Sequence, residues 1–72
     1  MKMRFRHIRF TKESTMEVAA KPMWFCRANK DKSILGTCTY YDTWSTWVFE
    51  GEPNCVFDKS CLRDIATFLE SL

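Results

Sequence analysis

Residues 58–72, DKSCLRDIATFLESL, give the clearest secondary-structure signal in the chain. The apolar residues of this stretch recur at steps of three and four, which places them on one side of an α-helix. Asp58 is a suitable N-cap because its carboxylate can accept a hydrogen bond from a free N–H of the first turn. The sequence therefore predicts a C-terminal helix that buries one apolar stripe. The stripe comprises Cys61, Leu62, Ile65, Phe68, Leu69 and Leu72.

Three segments before this helix have the composition of β-strands. Met23–Ala28, Ile34–Tyr41 and Trp44–Glu50 are rich in aromatic and β-branched residues. Polar residues 29–33 separate the first two segments, and two polar residues separate the second from the third, so both connections are typical of hairpins. Gly36 inside a strand indicates a bulge or a close approach of another group to the backbone.

The N-terminal part of the chain gives weaker signals. Residues 2–10 alternate between charged and apolar side chains, but the phase slips at His7, which predicts a strand with a bulge. Residues 11–21 fit either a short helical turn, with Ser14–Glu17 as a capping box, or a further strand. Pro22 ends any helix here and opens the next strand.

These elements predict a single domain over residues 1–72 with an α+β fold. Three to four antiparallel strands form a small meander sheet, and one C-terminal α-helix packs on one face. Tyr40 and Tyr41 are adjacent in a strand and must therefore point to opposite faces. Some large aromatic side chains thus lie on the face away from the helix, where a partner, a second copy or residues 11–21 would cover them.

The four cysteines and the N-terminus bear on the cellular compartment. Charges interrupt every apolar step of the first ten residues, so no secretory signal is predicted, and no run approaches the ~20 apolar residues of a membrane span. A cytoplasmic location and four free thiols are expected, in preference to disulfides. No two cysteines are as close as C-x(2–4)-C, so a zinc site is not expected.

The chain lacks recognisable catalytic motifs. Its single histidine, His7, lies among arginines, and no serine or cysteine motif accompanies it. The two glycines, Gly36 and Gly51, are too far apart for a glycine-rich phosphate loop. The sequence predicts a protein that is not an enzyme and has no cofactor and no metal.

Charge divides unevenly between the two halves of the chain. Residues 1–33 hold nine Lys and Arg against three Asp and Glu, whereas residues 34–72 hold two against six. Basic strands could pair with an acidic remainder inside the fold, or a basic face could meet an acidic partner.

The first predicted strand combines cations with aromatic rings. Arg4, Arg6 and Arg9 alternate with Phe5 and Phe10. Sheets that bind single-stranded nucleic acid stack bases on aromatic rings and hold phosphates with arginine. Binding of a nucleotide or of single-stranded nucleic acid is therefore the alternative function, although the net charge of only +2 does not favour it.

Just over half of the chain carries a family resemblance. The motifs are LGTCTYYDTWSTWVF, residues 35–49, and CLRDIATFL, residues 61–69. They resemble a group of small phage and prophage proteins of uncharacterised function, from whose pattern Cys38 departs by replacing an aliphatic residue. The resemblance implies the fold of this part. It also implies a role in the host cytoplasm, where such proteins often bind a host protein, such as an antiviral defence component, and block it.

We therefore expect a non-enzymatic protein-interaction module that inhibits a host protein by steric occlusion. The protein could also pair with a second copy of itself as a homodimer. Binding to a membrane is not expected. Arginine, tyrosine and tryptophan carry much of the binding energy at protein interfaces. The predicted contact residues are Arg4, Arg6 and Arg9 as electrostatic contacts, and Tyr41, Trp44 and Trp47 as aromatic anchors.

Overall fold

In the part of the chain that the structure describes, a four-stranded antiparallel sheet is followed by one helix. The computed structural model describes residues 1–13 and 21–72. Each strand pairs with the next one along the chain, and the C-terminal helix contacts the last strand. The predicted α+β meander is confirmed. The elements are β1 (Ile8–Glu13), β2 (Met23–Ala28), β3 (Ile34–Tyr41), β4 (Thr46–Gly51) and α1 (Lys59–Glu70).

The core lies between the sheet and α1, and aromatic rings fill it. Phe68 of α1 stacks on Phe10 of β1 with ring centroids 4.0 Å apart, and it meets Trp24 of β2 edge to face at 5.1 Å. The predicted N-cap is confirmed, because the Asp58 carboxylate accepts a hydrogen bond from the Cys61 N–H at 2.8 Å. One member of the predicted stripe is wrong: Leu62 is 52% exposed, since it lies at the edge of the buried face.

Two hairpin loops join the last three strands. Residues 29–33 connect β2 to β3 and residues 42–45 connect β3 to β4, and each loop contains a left-handed residue: Lys32 has φ 62° and Ser45 has φ 52°. The prediction that a strand begins at Trp44 is wrong, because Trp44 and Ser45 belong to the loop and β4 begins at Thr46. The loop is stabilised by a hydrogen bond from the Trp44 N–H to the Tyr41 carbonyl.

The N-terminus forms a reversal where the sequence predicted one bulged strand. The Phe5 N–H donates to the Ile8 carbonyl and the Phe10 N–H donates to the Met3 carbonyl, both at 2.8 Å. The chain therefore turns back at residues 6–7 and the strand proper begins at Ile8. The predicted turn or strand over residues 11–21 lies outside the described residues for its part 14–20, and residues 11–13 complete β1.

Alternation along β2 places large side chains on both faces of the sheet. Trp24 is buried under the helix, whereas Phe25 points to the other face, which we call the far face. The prediction that some aromatic rings lie away from the helix is confirmed. Among the described residues, no helix has the length and apolar character that spanning a membrane requires.

Candidate interaction site

Two of the predicted anchors meet at the loop between β3 and β4. Tyr41 and Trp44 are 42% and 70% exposed, and their rings pack edge to face with centroids 5.1 Å apart. We call this pair the aromatic tip. The hydrogen bond between their backbones and the left-handed Ser45 define the backbone of the loop, and the two rings pack on each other. The tip is therefore a preformed apolar knob on an exposed loop.

Trp47, the third predicted anchor, lies on the other side of the same hairpin. It is half-buried, packs against the core and meets Tyr40 edge to face with ring centroids 5.6 Å apart. Lys21 covers the Tyr40 ring, with its Nζ 4.5 Å from the ring centroid. Strand alternation explains the separation, since Trp47 and Tyr40 face the helix side and Tyr41 faces away.

Two of the three predicted arginines lie in one row at the opposite end of the sheet. Arg4 forms a bridge with Arg9, and Arg9 pairs with Arg27 of β2, so the three residues are neighbours across three chain segments. We call them the arginine row. Sequence analysis missed Arg27, although its alternation with Cys26 and Ala28 would have placed it on the far face.

Neutral groups fix two members of the arginine row. The Arg9 Nε donates to the Asn29 side-chain oxygen at 2.8 Å. The Arg27 Nε donates to the Thr11 hydroxyl at 3.2 Å, and its Nη1 donates to the Lys32 carbonyl at 3.0 Å. These hydrogen bonds orient the guanidinium groups without neutralising them. The row consequently keeps its positive charge.

The aromatic rings predicted to accompany these arginines are not available for stacking. Phe5 and Phe10 are both buried in the core and pack edge to face at 5.9 Å. Alternation of Arg4 and Arg6 with Phe5 suggested a shared surface, but burial separates the rings from the cations. Phe25 is the aromatic residue next to the row, and the Arg27 guanidinium already covers it at 5.3 Å.

The arginine row and the aromatic tip are separate surfaces. The row lies beside Ile34 at the start of β3, and the tip follows Tyr41 at its end. Strand residues rise by about 3.3 Å each, so the two ends of this strand are about 20 Å apart. A partner that contacts both would have to span the length of the sheet.

Arg6 belongs to neither surface and lies at a cleft between the sheet and the start of α1. The cleft has a volume of about 440 Å³. Its lining comes from separate chain segments, so no local sequence pattern predicted it. The lining residues are Arg6, His7, Ile8, Ala28, Asn29, Lys30, Leu35, Val56, Phe57 and Cys61.

The start of α1 places a carboxylate, Asp58, and a thiol, Cys61, beside this cleft. Hydrogen bonds from Cys61 hold the pKa of Asp58 below its usual range, and the nearby His7 lowers it further. Loss of solvent, followed by the hydrogen bond and charge of Asp58, raises the pKa of the Cys61 thiol. Cys61 is therefore a protonated thiol at neutral pH. It is not an activated nucleophile.

Cys26 and Cys38 also lie in surroundings that favour the protonated thiol. Burial raises the pKa of Cys26 and of Cys38 to about 12. All four cysteines are free thiols, and Cys55 is half-buried. Within residues 1–13 and 21–72, no three His, Cys, Asp or Glu side chains are placed to hold a metal ion.

No protein-family model, no curated protein and no solved structure matches this chain.

Proposed function

We propose that this protein is a non-enzymatic interaction module that binds a protein partner through the aromatic tip and blocks it by steric occlusion. The observation that carries this proposal is the exposure of Trp44, 70% of whose surface meets solvent on a fixed loop. Large apolar side chains that are exposed beside one another are typical of interaction surfaces. The resemblance of residues 34–72 to small phage and prophage proteins supports a host protein as the partner.

The rigidity of the tip favours binding. Ordering a flexible side chain at an interface costs about 0.5–1.5 kcal/mol. The contact of Trp44 with Tyr41 and the short loop already restrict both rings in the free protein. Burial of the Trp44 indole in a pocket of the partner would therefore stabilise the complex with little loss of side-chain conformational entropy.

The arginine row supports an acidic partner. Long-range attraction between unlike charges raises association rates more than it raises affinity. Arg4 is exposed, and Arg9 and Arg27 keep their charge. These cations would orient an approaching acidic protein toward the far face before the tip docks.

One observation favours the alternative function, nucleotide or single-stranded nucleic acid binding. The arginine row places three arginines on one face of the sheet, and the Arg27 guanidinium lies over the Phe25 ring. Phosphates could bind the row while a base displaces Arg27 from the Phe25 ring. Capture from the same lysate with and without nuclease separates the two functions, because a protein partner is retained in both cases, whereas single-stranded nucleic acid is retained only without nuclease.

The test compares Trp44→Ala with the matched control Leu62→Ala, which removes an exposed apolar side chain from the helix. Tagged protein is incubated with nuclease-treated host lysate, and retained proteins are identified by mass spectrometry. The dissociation constant of the purified partner is then measured for each variant. We expect Trp44→Ala to weaken binding by at least roughly tenfold at an unchanged melting temperature, and Leu62→Ala to leave it unchanged. Equal affinity for the wild type and Trp44→Ala would overturn the proposal.

A further inference from the structure

The cleft between the sheet and α1 has an apolar interior. Ile8 and Ala28 are paired across β1 and β2 and are both buried, and Leu35 of β3 lies beyond them. Phe57, just before α1, and Cys61, in its first turn, line the other side. At about 440 Å³ the cleft falls within the range of small-molecule sites, about 300–1,000 Å³.

Two cations lie at the mouth of this cleft. Arg6 belongs to the N-terminal reversal, Lys30 lies on the loop after β2, and both are exposed. Asp58 is the acidic group next to His7, but its carboxylate is occupied as the helix cap. The first turn of α1 adds the positive end of a helix dipole on the same side.

Hydrogen bonds from Asn29 join the two backbone segments that carry these cations. Its side-chain amide donates to the Phe5 carbonyl at 2.8 Å and to the Arg6 carbonyl at 3.2 Å, and its backbone N–H donates to the His7 carbonyl at 3.0 Å. Lys30 is the next residue along the chain. The backbones of the reversal and of the loop are therefore tied together, which places Arg6 and Lys30 at the same end of the cleft.

We propose that this cleft binds a small organic carboxylate with an aromatic or branched apolar body. The body lies on Ile8, Ala28 and Leu35, and the carboxylate meets Arg6 and Lys30 at the mouth. Val56 lines the cleft and is 92% exposed, so a bound apolar body would cover it. This site is distinct from the aromatic tip and does not rest on the protein-binding function proposed above.

The size of the cleft favours a small molecule over a protein segment. A standard protein interface buries about 800 Å² on each partner. The cleft has the volume of a group of one or two rings, and its apolar floor lies between the sheet and the start of α1. Charge and volume together therefore select a compact anion.

The test is a titration followed by amide NMR shifts, with naphthalene carboxylate as the probe and naphthalene carboxamide as its neutral match. We expect saturable shifts at Ala28, Leu35 and Cys61 and none at Trp44. The carboxylate should bind at least roughly fivefold more tightly than the carboxamide, because only the carboxylate attracts the cations.

Two double variants, each of which removes two positive charges, show which cations cause the preference for the carboxylate. Arg6→Gln with Lys30→Gln should remove the preference for the carboxylate. Lys12→Gln with Arg63→Gln, which changes two exposed cations outside the cleft, should preserve it. Both variants are first checked for an unchanged melting temperature.

Cys61 provides an independent readout because it lines the cleft. In a Cys55→Ser background, bound carboxylate should slow the reaction of Cys61 with neutral dithiodipyridine, in which a mixed disulfide forms and one pyridine thiolate leaves. No shifts on titration, equal affinity for the two probes, or shifts confined to Trp44 would each overturn the proposal. Loss of probe binding would leave capture of a protein by the aromatic tip unaffected, so the two proposals can fail separately.

Discussion

Gly36 is a position at which one added methyl group would disturb the sheet. A Cβ built there would overlap the Phe49 ring and lie 2.6 Å from the Glu50 carbonyl oxygen, which belongs to the backbone of β4. Its φ is not in the left-handed region, so the constraint is space alone. Gly51 pairs with Gly36 across the two strands, but its Cβ would come no closer than 3.3 Å, to Phe57.

This contrast gives a prediction with an internal control. Gly36→Ala should lower the free energy of unfolding by about 1–3 kcal/mol or more, because the backbone of β4 must move. Gly51→Ala should change it by less than about 1 kcal/mol, because a small displacement of the Phe57 ring is enough. Urea denaturation of both variants measures the difference. Equal losses would show that the close approach at Gly36 is not present in solution.

Single residues illustrate how far sequence patterns reach. Gly36 predicted a bulge or a close approach, and both exist: the register of β2 and β3 shifts at Cys26 and Arg27, and Phe49 lies over the glycine. Trp44 and Trp47 resembled each other as anchors in the sequence. Only the loop geometry separates them, and that geometry depends on the left-handed backbone at Ser45.

At the scale of elements, the helix was predictable and the N-terminal reversal was not. The helix has its own cap and its own periodicity, both of which are local signals. The reversal at Arg6 and His7 contains no glycine, proline, asparagine or aspartate, the residues that mark turns. Asn29, which lies far along the chain, stabilises the reversal through hydrogen bonds to its backbone. A bulge and a turn also produce the same slip in the alternation of side chains, so the sequence pattern does not distinguish them.

Removal of the Asn29 side chain should release the reversal. Asn29→Ala leaves the Phe5 carbonyl without its donor, and we expect the free energy of unfolding to fall by about 1–3 kcal/mol. Hydrogen exchange at the amides of Phe5 and Phe10 should accelerate more than exchange in β3. Lys30→Ala, which changes the next and exposed residue, is the control. Asn29→Ala with unchanged exchange at Phe5 would contradict this role.

At the scale of the whole molecule, the strand order converts a charge division along the chain into one across the sheet. The basic half of the sequence supplies β1 and β2, and the acidic half supplies β3, β4 and α1. The sequence predicted the imbalance, but only the order of the strands determines that like charges stay on the same side. The cleft could not be predicted from the sequence for the same reason, because its lining residues come together only in the folded chain.

The buried thiols make the stability of the molecule sensitive to alkali. Burial raises the pKa of Cys26 and Cys38 from the ordinary value near 9 to about 12. Below pH 9 both states keep the protons, so this contribution is fully present. As pH rises from 9 toward 12, only the unfolded chain loses them, and stability falls by up to about 1.4 kcal/mol per pH unit for each thiol.

Replacing one buried thiol should reduce this dependence. Cys38→Ala is expected to show a shallower loss of unfolding free energy between pH 9 and 12 than the wild type, as measured by urea titration in the presence of a reductant. Cys55→Ala, at a half-buried position, should keep the slope of the wild type. Identical slopes for all three proteins would exclude the buried thiol as the cause.

The sequential order of the strands also has a kinetic consequence. The hairpins that join β2 to β3 and β3 to β4 close loops of only five and four residues, and such hairpins form within about 1–10 microseconds. Phe68 can stack on Phe10 only after nearly the whole chain has been brought together, which carries the largest loss of chain entropy. We expect the sheet to assemble outward from β3, with the contact between the helix and β1 the last to form and the first to open.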